Sequence, residues 1–148
     1  MTTFLVGLDD SHESMNALAT AVRLGAPIDA ELVLVFVRHT PTTLAGSPEA
    51  LSAHGLALDA IADNIHTAAT AQLKEYPGSW ELVERSGDPT TELIEAARIH
   101  GADLIVVGHR GHSELVDLML GSVASRLVHH SPVGVLVAKT GPESLAAP

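Results

Sequence analysis

Leu104-Ile-Val-Val-Gly108-His-Arg-Gly111, followed after nine residues by Gly121-Ser122, decides how this chain folds. Leu104 to Val107 is a continuous apolar run, the pattern of a parallel strand buried on both faces, and Ser122 to His129 has helical character. Gly108 therefore stands where a strand ends. Glycine there allows a sharp turn and a ligand approach closer than a Cβ permits, while Gly121 and Ser122 open a helix whose free N–H groups attract anions. A tight strand-to-helix turn without any ligand is the ordinary use of such glycines. Three glycines and a hydroxyl at these offsets arise by chance with a probability of about 1%, so the stretch reads as a phosphate cradle.

The same alternation extends outward in both directions. Phe4 to Leu8 is an apolar strand broken at Gly7-Leu-Asp-Asp-Ser11, after which Met15, Leu18, Ala19 and Val22 recur at helical spacing until Gly25-Ala-Pro27. Asp9, Asp10 or Ser11 would cap that helix. Glu31 to Val37 is a second strand, and Ser47-Pro48 starts a long helix that ends at Tyr76-Pro-Gly78, with Gly55 a possible interruption of its first turns. Ser79 to Arg85 is a third strand, Gly87-Asp88-Pro89 begins a helix that runs to about His100, and Val133 to Ala138 is a fifth strand after Ser131-Pro132. Five strands alternating with four helices predict an α/β domain: a doubly wound five-stranded parallel sheet with helices on both faces. Ligands of such sheets bind at the strand carboxyl ends where the strand order reverses, here between the loops after strands one and four.

Composition narrows the function. At 148 residues the chain is one domain, and 46% hydrophobic with 3% aromatic residues implies a core of Ala, Val, Leu and Ile. The net charge is −10 and the 8 Lys and Arg are scattered singly, which argues against nucleic acid as a partner. No apolar stretch approaches 18 residues and the amino terminus lacks a basic leader, so no membrane is expected and the cytoplasm is the default location. Cysteine is absent, which removes disulfides and thiolate chemistry. The nine histidines, including His109 with His112 and the pair His129-His130, do not form a helical i, i+4 pair with a third ligand, so they read as surface residues and no metal-ligating residue is assigned.

Taken together, Gly7-x-Asp9-Asp-Ser11 with Ser14 and Ala17-Leu18, Gly87-x-Pro89, Ala102-Asp103-Leu-Ile-Val-Val-Gly108-x-Arg-Gly111 and Leu120-Gly-Ser-Val123 resemble a universal stress protein domain of the ATP-binding type. The likeness covers about residues 2 to 139, so residues 1–139 would form the nucleotide-binding domain and 140–148 a tail. It implies a Rossmann-like fold of the adenine nucleotide alpha hydrolase type, with ATP and Mg2+ as cofactors. Matched residue by residue, Gly7 and Asp9 would serve the ribose side, Val37 would meet adenine through its backbone, and Gly108, His109, Arg110 and Gly111 would form the loop. Gly121, Ser122 and Val123 would hold the phosphates. The family often has a second hydroxyl where Ala124 stands, and a different residue at Gly134 in the last strand. A homodimer through the strand 133–138 and an unknown regulatory protein partner are also implied.

Three functions compete. A nucleotide-dependent sensor or regulator of the stress response fits the resemblance. An efficient ATPase or nucleotidyl transferase would need a positioned base and metal carboxylates, whereas the chain has no G-x-x-x-x-G-K-[ST] loop, no lysine near the glycines, and only Asp9 and Asp10 as magnesium ligands. No catalytic residue is therefore assigned, and slow hydrolysis is the most expected. The alternative is a nucleotide-free dimeric interaction module of the same fold, against which the intact glycines count.

Overall fold

The computed structural model describes residues 1–109 and 120–139. Strand β1 (Thr3–Leu8) leads into helix α1 (His12–Gly25), followed by β2 (Glu31–Arg38) and α2 (Pro48–Gln72). Next come β3 (Trp80–Ser86), α3 (Pro89–His100), β4 (Leu104–Gly108), α4 (Ser122–His130) and β5 (Gly134–Ala138). The strands form one sheet in the order β3-β2-β1-β4-β5, every neighbouring pair parallel. Strand order therefore reverses between β1 and β4, as the alternating pattern predicts.

Because successive side chains of a strand point to opposite faces, each strand supplies two cores. Phe4, Val6 and Leu8 of β1, Leu32, Leu34 and Phe36 of β2, and Val106 of β4 pack with Ala17, Leu18, Ile65 and Ala69 of α1 and α2. Leu5, Val33, Val35, Ile105 and Val107 face the other way, onto Leu93, Ala96, Ala97, Ala124 and Leu127 of α3 and α4. The sheet is thus doubly wound, and its central strands are apolar on both sides. Outside it, Asp103 ties β4 to β1: its side chain accepts the Thr3 N–H at 2.9 Å while its own N–H donates to the Thr3 carbonyl at 2.8 Å.

The helix starts follow local chemistry. Ser11, rather than Asp9 or Asp10, caps α1 by accepting the Ser14 N–H; Ser47 caps α2 and Asp88 caps α3, each with proline in the first turn. α3 ends on Gly101 at φ 62, a left-handed position favouring glycine, and the Ala102 N–H donates back to the Ala97 carbonyl at 2.9 Å. Gly55 does not interrupt α2. A mid-helix glycine costs about 1 kcal/mol relative to alanine, which the Ser47 cap and the burial of Ile65, Ala69 and Leu73 offset. β5 begins at Gly134 instead of Val133, because the Ser131 hydroxyl donates to the Val133 carbonyl at 2.8 Å and accepts its N–H at 3.1 Å, holding Val133 in a turn.

Two glycines on neighbouring strands differ in how much room they leave. A Cβ on Gly108 would sit 2.7 Å from the carbonyl carbon and oxygen of Glu13 in α1, whereas a Cβ on Gly134 would be 3.4 Å from a terminal methyl of Leu104. Gly108→Ala should therefore destabilise the fold by about 1–3 kcal/mol, since rigid backbone must move. Gly134→Ala should be neutral or stabilising by up to about 1 kcal/mol. Urea unfolding of the two variants checks this; equal midpoints would contradict the contact at Glu13.

Candidate functional site

At the carboxyl ends of β1, β2 and β4, on the α3–α4 face of the sheet, lies a cleft open to solvent. Strand alternation accounts for its lining. Val35 and Val37 of β2, Gly7 of β1 and Val107 of β4 form the floor, Pro89 and Leu93 of α3 one wall, and Gly121, Val123 and Ala124 of α4 the other. Gly7 lets this floor and wall pack closely: a Cβ there would lie 3.1–3.3 Å from Val107 and both terminal methyls of Leu93.

Gly108 lines the cleft too, but the space freed by its missing Cβ belongs to α1. Counting from Val107, parity turns that position to the α1 side, where the Glu13 backbone occupies it. Gly7 thus admits Leu93 of α3 on the cleft face, and Gly108 admits α1 on the other. A loop pattern carries no information about which face a residue occupies, so the room expected beside Gly108 for a ligand is taken by α1.

Asp9 is half-buried at the cleft mouth, its Oδ1 accepting the Ser11 N–H at 2.8 Å in a local turn. Buried Ser14 holds the same loop from below, its hydroxyl accepting the Asp9 N–H at 3.1 Å and donating to the Asp9 carbonyl at 2.9 Å. The Arg38 carbonyl accepts the Gly87 N–H from the β3 side at 3.0 Å, so the Val37 peptide groups, one residue earlier, point toward β1. The last β1–β2 register pair is Leu8 with Phe36, which directs the Val37 carbonyl over the end of β1 and into the cleft.

At the opposite end, the Gly121 N–H donates to the His109 carbonyl at 2.9 Å and brings α4 up to the end of β4. Gly121 caps α4 without any side-chain hydrogen bond; Ser122 is exposed in the first turn and Val123 half-buried. Helix amino termini with uncapped N–H groups favour anions. Arg110 and Gly111 lie outside the described residues. The structure thus brings Gly7, Asp9, Val37, Gly108, Gly121 and Val123 to one cleft, with His109 and Ser122 beside it. Val35, Leu93 and Val107 were not assigned to the site from sequence, where their period-2 and helical spacing read only as core, and Pro89 entered only through the Gly87-x-Pro89 motif.

Asp88 borders the cleft through its neighbour Pro89. Its Oδ2 accepts the Thr91 N–H at 3.0 Å and the Thr91 hydroxyl at 2.9 Å, and its two oxygens face the Arg126 guanidinium of α4 at 3.1 and 3.4 Å. The Thr91 backbone N–H foremost, then the Thr91 hydroxyl and Arg126, hold the Asp88 carboxyl below the usual carboxylate range against a smaller opposing effect of burial. Among the described residues no group of three His, Asp or Glu is placed to hold a metal ion by itself. No helix among them is long and apolar enough to cross a membrane.

A five-stranded doubly wound sheet with a cleft at its reversal point defines a Rossmann-like α/β protein. Residues 1–139 match the universal stress protein family, and the chain belongs to it. It is 30% identical over 143 residues to the universal stress protein YxiE of Bacillus subtilis, covering 91% of this chain and 97% of that protein. Among solved structures it is similar to a universal stress protein in complex with cAMP, at 27% identity and TM-score 0.65 over 93% of this chain and 96% of that one. It also shares its fold with an Arabidopsis thaliana family member with AMP bound, at 17% identity and TM-score 0.71 over 97% and 95% of the two chains.

The lowered Asp88 pKa predicts a pH signature. Between the folded value and the ordinary one near about 3.9, the unfolded chain binds a proton that the folded chain does not. The stabilisation is then complete above the ordinary value and disappears as pH falls through the folded one. Asp88→Ala should cost about 0.5–2 kcal/mol at neutral pH, chiefly through the lost cap of α3. The gap to wild type in urea midpoint should narrow on acidification as the charge on Asp88 is lost; a gap independent of pH would contradict the assignment.

Proposed function

We propose that this chain binds an adenine nucleotide, ATP with Mg2+, in the cleft between β1 and β4, and acts as a nucleotide-dependent sensor or regulator with at most slow hydrolysis. The observation that carries the reading is the polarity of the cleft: an apolar floor of Val35, Val37 and Val107 with the Val37 carbonyl at one end, and the amino end of α4, to which Gly121 gives no side-chain cap, at the other. A flat apolar base with hydrogen-bonding edges suits the first end and phosphates suit the second. The cAMP and AMP complexes of related proteins support the adenine class. Arg110 and Gly111 are proposed to complete the phosphate loop, and Ser122 to add a hydroxyl. Asp9 with Asp10 would supply oxygen ligands for Mg2+, an ion that keeps several waters and takes one or two carboxylates together with substrate phosphates.

Gly121 has φ −62 and ψ 158, extended backbone open to any residue, so Gly121→Val brings a side chain to the phosphate end without straining the chain. Calorimetry should show wild type binding ATP with Mg2+ and the folded variant at least about tenfold weaker, with wild-type phosphate release slower than about 1 s⁻¹. Equal affinity of the two proteins would place the nucleotide elsewhere.

The same reading includes a cytoplasmic homodimer joined along β5, which is an edge of the sheet. Val135 and Val137 are half-buried against the α3–α4 layer, so the backbone of an apolar strand is left for pairing. Val135→Lys or Val137→Lys should convert dimer to monomer in sedimentation at several concentrations, with a thermal melt to confirm folding. A dimer indifferent to both would exclude this edge.

A further inference from the structure

The two ends of the cleft are joined by a pair of side chains that do not line it. Asp88 is fixed at the start of α3 by its two bonds from Thr91, next to Pro89 in the cleft wall. Arg126 lies on α4, one helical turn beyond Ser122, and meets both Asp88 oxygens through its two terminal nitrogens at 3.1 and 3.4 Å. The forked geometry is directional: it opposes rotation of α4 about its axis as well as sliding along it. Of the nine residues of α4 the side chains of Ala124 and Leu127 are buried and Val123 is half-buried against the same core, and the residue before the helix, Gly121, supplies no side-chain cap.

We infer that Asp88 and Arg126 form a strut that positions the amino end of α4 for the nucleotide phosphates, making both positioning residues for a ligand they do not touch. The inference rests on the nucleotide reading above and adds to it which residues set the phosphate share of affinity. Rotation of α4 by a few degrees swings its first N–H groups away from the phosphate end while leaving Val35, Val37 and Leu93, the base end, in place. The consequence is selective: loss of the strut weakens phosphate-bearing ligands and spares the nucleoside. Both side chains are substantially exposed, 53% for Arg126 and 41% for Asp88, so the effect is modest and screened by salt.

Asp88→Asn separates the strut from the cap, because asparagine caps helices about as well as aspartate but carries no charge for Arg126. Wild type, Asp88→Asn, Arg126→Gln and the double variant are titrated calorimetrically with ATP and Mg2+, AMP, and adenosine, after thermal melts confirm folding. Each single variant should bind ATP and AMP about two- to fivefold more weakly and adenosine unchanged, and the double should fall no further than the singles. The differences should vanish near 1 M salt, where screening acts over about 3 Å. Equal losses for adenosine and ATP would reduce the pair to a support of the fold and overturn the inference. So would tighter ATP binding by Asp88→Asn with weaker binding by Arg126→Gln, the pattern of an arginine that contacts phosphate directly. Wild type that binds none of the three ligands overturns the nucleotide reading and the strut together, whereas binding indifferent to all the variants overturns only the strut.

Discussion

The approach of α1 to the end of β4, where a Cβ on Gly108 would come within 2.7 Å of the Glu13 backbone, is the contact on which the geometry of the cleft depends. It sets how far the β1–α1 loop stands from the β4 end. Those two loops carry Asp9 and His109, and between them the sheet reverses its winding. Any side chain at Gly108 pushes α1 outward and takes the Ser11 cap and the Asp9 turn with it. Glycine at this position is a packing requirement first, and its proximity to a ligand follows from where the strand ends.

Around that contact, short polar links at the carboxyl ends of the strands add to what the apolar core holds. Arg38 at the end of β2 pairs with Asp59 of α2 at 2.7 Å and Glu84 of β3 at 3.1 Å, and the Gly87 N–H donates to its carbonyl. The next residue, Asp88, then reaches Arg126 of α4. Individually such surface pairs contribute little to stability. Their placement matters more than their strength, because each joins two elements near the carboxyl edge of the sheet. The core sets which helices cover which face, and these links bear on how their ends are aimed.

Local chemistry accounts for nearly all that was legible before folding. Ser47-Pro48 and Asp88-Pro89 begin helices where predicted, since a cap and a proline act within one turn. Leu104 to Val107 forms an interior strand because an unbroken apolar run suits burial on two faces. Boundaries drifted where side chains bonded unexpectedly, as Ser131 does to Val133 at the entry to β5. The reversal point followed from connectivity, so the loops after β1 and β4 were recognised as neighbours without coordinates.

The sequence by itself therefore determined the fold class, the order of elements and the two loops that border the candidate site, because those depend on periodicity and on residues close together in the chain. Only the tertiary structure decided which face each loop residue serves. That Gly7 admits Leu93 on the cleft face while Gly108 admits α1 on the other depends on strand parity at the sheet's carboxyl edge and on a helix about a hundred residues away in sequence from the glycine it touches. The same holds for Asp88 and Arg126, which meet across 38 residues of intervening chain. No local propensity encodes such a meeting; it exists because two helices pack side by side on one face of the sheet.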